Sequence, residues 1–327
     1  MLVTLMEPSG RSVGRVLSAL ALLLGLSCHD AAFPGRLDAS DPDGGGDGGG
    51  NDAAVAVDEA LFQEALALYD GALYPGALAK FEELLAGYPD SRRHDNAGYL
   101  AGRCRYALFD YAGAIAAFAE LQRSHPASPF TDEARYFSGR SRLALADYVG
   151  ALEDFRAAVV ADPAGVYADN ADYYVGRTCY EAGDLATAVV ELGRFEVERP
   201  ASTFLDNARY YLGRSYFDQR SYTAALGPLE RVRLAPESTY LDDATYYLGR
   251  SHYALAERQA ALVEFDRLLA DFAASQYLDN ALYYEVRIAR DDGDCAAARV
   301  VLEELAARFP GSPYVARAQS YLVAGGC

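Results

Sequence analysis

The chain has 327 residues, 51% apolar and 23% charged, enough apolar side chain to bury a core and too much for disorder throughout. Its 47 acidic side chains face 29 basic ones, and the formal charge of -18 argues against a nucleic-acid backbone or an anionic lipid surface as the main partner. Trp is absent and Tyr numbers 25, and the tyrosines recur at a fixed interval.

At the amino terminus, Arg11 and Arg15 precede an apolar run from Val16 to Leu26, followed by Ser27 and Cys28. This pattern predicts a secretory signal over residues 1–27. The segment Leu24-Gly25-Leu26-Ser27-Cys28 resembles the bacterial lipobox, with Gly25 where that family usually has Leu. The resemblance implies that Cys28 becomes the lipid-bearing first residue. By the family's sorting rule, His29 after it implies an outer-membrane lipoprotein facing the periplasm. Two alternatives stay open: a plain secreted protein with an incidental cysteine, and an uncleaved membrane helix. The run is short for the latter, since a span needs roughly 20 residues.

Residues 28–57 show no hydrophobic period and include Asp41-Pro42-Asp43-Gly44-Gly45-Gly46-Asp47, the composition of a disordered acidic Gly/Asp tether. The Asp and Gly spacing hints at a calcium loop, but Gly45 sits where a ligand is wanted.

From residue 58 onward the chain repeats. A Tyr-x-x-Gly-Arg signature occurs at Tyr99–Arg103, Tyr136–Arg140, Tyr173–Arg177, Tyr210–Arg214 and Tyr246–Arg250, and decays at Tyr283–Arg287, where Val286 replaces Gly. The glycines are 37, 37, 37 and 36 residues apart, and Ala77, Ala114, Ala151, Ala188, Ala225, Ala261 and Ala298 keep the same step. Each unit reads as two helices, the second starting near Tyr74, Tyr111, Tyr148 or Tyr222 with apolar residues at three and four spacing. Pro89, Pro126, Pro163, Pro200, Pro236 and Pro310 stop it. A serine follows two residues later in most units, often with an aromatic two residues beyond it, and Ser before Pro129 or Pro313 predicts a capped helix start.

The order Leu212-Gly213-x-x-Tyr216, then Ala151-x-x-x-Phe155, then Pro163 resembles the tetratricopeptide repeat, with a unit of 37 residues in place of the family's about 34 and without its Trp. The long unit also looks like the repeats of bacterial envelope lipoproteins of the β-barrel assembly and Tol-Pal coordinator type. The resemblance implies an all-α fold: a right-handed α-solenoid of about seven hairpins plus a C-terminal closing helix over residues 58–327. It also implies a non-enzymatic scaffold that binds segments of other envelope proteins in a concave groove.

In that family the groove is lined by offsets that here carry Tyr99, Arg103, Tyr136, Arg140, Tyr173, Arg177, Tyr210, Arg214, Tyr246, Arg250, Tyr283 and Arg287. Rigid rings with forked donors suit peptide, carboxylate or glycan, so a peptidoglycan-binding module is the alternative function. The same side chains could instead pair between units as a structural ladder, and uniform repetition favours that role.

Cys295 begins the last paired helix and Cys327 follows the antiparallel closing helix, so their ends meet and a disulfide is expected. Cys104 and Cys179 fit small buried hydrophobes. The four histidines show no ligand spacing, and neither a Gly-x-Ser-x-Gly elbow, a Gly-Lys phosphate loop nor a His-Glu-x-x-His motif is present, so no enzyme, metal or cofactor is expected.

Overall fold

In the computed structural model the described residues are 52–327, with side chains described from Val57 onward. The signal, Cys28 and most of the tether lie outside them. Fifteen helices and no strands occur among the described residues. They pair as α1 (Asp52–Asp70) with α2 (Tyr74–Gly87), α3 (His94–Ala107) with α4 (Tyr111–Ser124), and α5 (Thr131–Ala144) with α6 (Tyr148–Ala161). The series continues with α7 (Ala168–Glu181) and α8 (Leu185–Glu198), α9 (Leu205–Asp218) and α10 (Tyr222–Arg233), and α11 (Leu241–Ala254) and α12 (Arg258–Asp271). The last hairpin, α13 (Leu278–Asp291) and α14 (Cys295–Arg308), is closed by α15 (Pro313–Ala324). This is the all-α solenoid of seven hairpins and a closing helix that the resemblance implies. The first helix begins at Asp52, ahead of the expected boundary at 58.

Each helix packs on its sequence neighbours, and first helices of successive units also touch, as α3 does α5, α7 does α9, α9 does α11 and α13 does α15. Second helices do so at most weakly, so the first helices form the tighter, inner layer of the stack.

Local chemistry sets these boundaries. Within a hairpin the turn is short: Asp110, Asp147, Asp184 and Asp294 end it, each carboxylate accepting a backbone N–H three residues on, at 2.9–3.1 Å. This satisfies one of the donors that a helix start leaves open. Between hairpins, Ser128, Ser202, Ser238 and Ser275 accept from the backbone N–H of the aromatic two residues on, at 3.2–3.3 Å. The helix then begins one residue after that aromatic. Ser128-Pro129 therefore caps a turn and not α5, which starts at Thr131, because Phe130 is needed outside the helix to reach the preceding unit. Ser312-Pro313 does start its helix directly, with Pro313 in the first turn and Ser312 as cap.

The repeat glycine is explained by one buried neighbour. A Cβ added to Gly102 would meet the ring of Phe118 at 2.5 Å, and Gly139 and Gly249 face Phe155 and Phe265 in the same way. In Gly176 and Gly213 the neighbour is Leu192 or Leu229. These side chains are 0% exposed, so each of these five hairpins closes on one large apolar group of its own second helix.

Candidate functional site

The tyrosines of the repeat signature lie inside the stack. Tyr99 and Tyr173 are 0% exposed, Tyr136 2%, Tyr246 4% and Tyr210 5%, and only Tyr283, in the last unit, is half-buried. Each ring is covered by the junction aromatic of the following unit. Phe130 stacks on Tyr99 with centroids 5.1 Å apart, Tyr167 on Tyr136 at 4.7 Å, Phe204 on Tyr173 at 5.0 Å, Tyr240 on Tyr210 at 4.2 Å and Tyr277 on Tyr246 at 4.1 Å. The aromatic two residues after each junction serine thus belongs to an interlock between units.

The arginines complete that interlock. The guanidinium of Arg103 lies 3.9 Å over the Phe137 ring, Arg140 4.5 Å over Tyr174, Arg177 5.2 Å over Tyr211 and Arg214 3.9 Å over Tyr247. Each spans to the next first helix, and Arg250 and Arg287 also reach back, at 4.6 Å to Phe217 and 4.8 Å to Tyr253. Arg103, Arg140 and Arg214 donate to the hydroxyl of the tyrosine one turn earlier, at 2.5, 2.9 and 2.8 Å. Tyr99 donates on to Glu133 at 2.5 Å, and Tyr210 to Asp243 at 3.3 Å. A cation held between aromatic faces and tied to a phenol keeps its charge in a low-dielectric layer. Burial pushes the Asp243 carboxyl above the usual range, while hydrogen bonds from Tyr277 and Tyr210 draw it back.

From Tyr99 to Arg250, rings and guanidinium groups occupy one another's faces, the arrangement of a structural ladder between units.

Cys295 and Cys327 form a disulfide with Cα atoms 5.2 Å apart, tying the end of α15 to the start of α14. Cys104 and Cys179 are buried free thiols, pushed up to about 12 and about 11 by desolvation. One contact escapes sequence reasoning: His94 Nδ1 and His125 Nε2 are 3.0 Å apart at the base of the α3–α4 hairpin, beside a hollow of about 310 Å³. Among the described residues no three His, Cys, Asp or Glu side chains gather as a metal site. No helix among them is long and apolar enough to cross a membrane.

Residues 62–129 and 99–166 match the tetratricopeptide repeat, and residues 136–282 match YfiO, an outer membrane lipoprotein family. The body of the chain is an all-α solenoid that matches the tetratricopeptide repeat over its first units and is similar to that lipoprotein family over its central ones. No curated protein sequence matches the chain. Among solved structures it resembles the C-terminal part of a TPR repeat-containing protein from Cytophaga hutchinsonii, with TM-score 0.67 and 18% identity over 79% of this chain and 98% of that one. Pseudomonas aeruginosa PilF aligns with TM-score 0.53 and 16% identity over 69% and 96%. PilW, a type IV pilus biogenesis factor, aligns with TM-score 0.53 and 19% identity over 70% and 100%. At these identities the likeness is one of fold.

Proposed function

We propose that the chain is a lipid-anchored scaffold of the bacterial envelope, held by Cys28 at the outer membrane on the periplasmic side, whose solenoid binds segments of other envelope proteins. The observation that carries this reading is the match of residues 136–282 to an outer membrane lipoprotein family in a chain whose start also reads as a signal ending in Leu-Ser-Cys. The acidic Gly/Asp segment before α1 serves as the tether, with a root-mean-square reach of roughly 30 Å. That is enough to hold the solenoid clear of a lipid surface. The interlocked units suit a scaffold, because a stack whose neighbours are pinned by rings and guanidinium groups keeps its surface in fixed register.

The test is metabolic labelling with a palmitate analogue in cells, together with membrane fractionation. Wild-type protein is expected to take the label and to sediment with outer membrane, and Cys28→Ser is expected to lose both. Label-free wild-type protein in the soluble fraction overturns the anchored reading.

A further inference from the structure

The Tyr and Arg ladder stops short at its carboxyl end. Every first helix from α3 to α13 carries Tyr and, four residues on, Arg, but α15 has Ser320 and Ala324 at the positions 37 residues beyond Tyr283 and Arg287. The position filled by Asn96, Glu133, Asn170, Asn207, Asp243 and Asn280 in earlier units is Arg317. One ring and one guanidinium are missing, and the third position, neutral or acidic in every earlier unit, is cationic. A shallow hollow of about 510 Å³ results, lined by Tyr283, Ala316, Arg317, Ser320, Tyr321 and Ala324.

The hollow's polar groups are open. Arg317 is exposed, its guanidinium lies 5.1 Å over the Tyr314 ring, and no carboxylate among the described residues pairs with it, although acids outnumber bases 47 to 29 in the chain. The Tyr283 hydroxyl makes no hydrogen bond among the described residues, whereas Tyr99 and Tyr210 each donate to an acid of the next unit. Its ring is only tilted against Tyr314, at 36°, where Tyr246 and Tyr277 lie at 9°. Behind the hollow, Arg287 sits 5.1 Å from the Tyr321 ring, and Arg290 donates to the Tyr321 hydroxyl at 3.1 Å while pairing with Asp291, which accepts from the same hydroxyl, so the rear wall is already paired except for Arg287.

We infer that this hollow docks an extended segment of a partner protein bearing an aromatic side chain beside a carboxylate. Internal rungs show the complement: at Tyr99 and Tyr210 a carboxylate sits on the hydroxyl, and the next first helix carries a tyrosine one repeat on, while the junction aromatic against the ring is already present here as Tyr314, at 5.2 Å from Tyr283. At the last rung α15 supplies neither the acid nor the next ring. A carboxylate accepts from the Tyr283 hydroxyl and pairs with Arg317, and an adjacent ring fills the space over Ser320 and Ala324. This rests on the scaffold reading and specifies where a partner segment sits.

The test uses the mature lipidated chain in detergent micelles and a fluorescein-labelled Gly-Ser-Glu-Phe-Glu-Ser-Gly peptide, read by fluorescence anisotropy. Saturable binding is expected. It should weaken about tenfold or more with Arg317→Glu, with both Glu residues of the peptide replaced by Gln, or with its Phe replaced by Ala, because removing a charge-assisted hydrogen bond or an anchoring ring from a docking site costs affinity on that scale. The double variant Ser320→Tyr with Ala324→Arg rebuilds the missing rung. It is expected to unfold at the same or a higher temperature and to bind no peptide. Equal binding by the rebuilt variant, or no binding by wild type, overturns the proposal. Photocrosslinking in cells separates this from the parent reading. Capture from other first-helix positions without capture at position 320 sinks the hollow alone, and no capture from any position sinks the scaffold.

Discussion

Tyr277 lies face to face on Tyr246, ring centroids 4.1 Å apart and planes 9° apart, although 31 residues separate them and they belong to different hairpins. The Tyr277 hydroxyl donates to Asp243 at 2.6 Å, the same carboxylate that accepts from Tyr210. A junction residue of one unit thereby joins two preceding units.

If the ladder is structural, its hydroxyls contribute unequally, because the third position varies. Tyr210 both accepts from Arg214 and donates to Asp243, whereas the Tyr173 hydroxyl is buried with no partner. Tyr210→Phe is expected to cost about 1–2 kcal/mol, while Tyr173→Phe is neutral or stabilising because it removes an unsatisfied buried group. Urea titration of the two variants decides this, and equal costs would contradict the geometry.

Two glycines make a matched pair. A Cβ on Gly213 would lie 2.6 Å from Leu229, which is completely buried, so Gly213→Ala is expected to cost about 1–3 kcal/mol by overpacking. Gly193 lies within α8 with nothing within 4 Å of an added Cβ, and Gly193→Ala is expected to gain about 0.5–1 kcal/mol from helix propensity alone. Opposite shifts in melting temperature are the expected readout.

The seven hairpins were legible in the sequence because Gly, Ala and Pro recur in one phase, and each answers to a local demand: close approach, small size, chain reversal. The fate of the tyrosines was not. Three and four spacing puts Tyr99, Arg103 and Tyr106 on one stripe, but whether that stripe is open depends on how the next unit crosses it. That crossing is set by Phe130, visible in the sequence only as an aromatic after a serine. The His94–His125 contact was hidden for a related reason. A first-helix start and a second-helix end meet only once the hairpin is closed.

The turn within each hairpin needs a left-handed residue, and five of seven turns use one other than glycine: Ala72, Phe109, Ala146, Arg220 and Ala256, at φ 55–62°. Gly183 and Gly293 hold the position elsewhere. Because the left-handed conformation strains any residue with a Cβ, Ala146→Gly and Ala256→Gly are each expected to stabilise by about 1 kcal/mol, and Gly183→Ala to destabilise comparably. Denaturant midpoints of the three single variants test it.

The Cys295–Cys327 bridge closes a loop of 32 residues around α14 and α15. In the chain-entropy account such a loop stabilises by about 3–4 kcal/mol. The stack is held by nearest-neighbour contacts, so the loss on reduction is expected to be confined to the last unit. Hydrogen exchange with and without reductant should show α15 losing protection while α5 to α9 keep theirs. Uniform loss would mean that the solenoid unfolds as one block.

Glu285 gives the same end of the molecule a pH dependence. It occupies the position of the buried Leu212 and Leu248 and faces Asp266 on α12 with Glu304 and Arg308 on α14. Burial, then the charges of Asp266 and Glu304, push its carboxyl from 4.5 up to about 8, against a smaller opposing pull from Arg308, and Oε1 has no hydrogen-bond partner. Between those two values the folded chain holds a proton that the unfolded chain has released, so stability is complete below about pH 4.5 and falls as pH rises through 8. Glu285→Gln keeps the shape without the titration and is expected to lose this slope. Its melting temperature should approach wild type at pH 5 and exceed it at pH 8, and a difference constant across that range would show that the carboxyl ionises as freely in the fold as outside it.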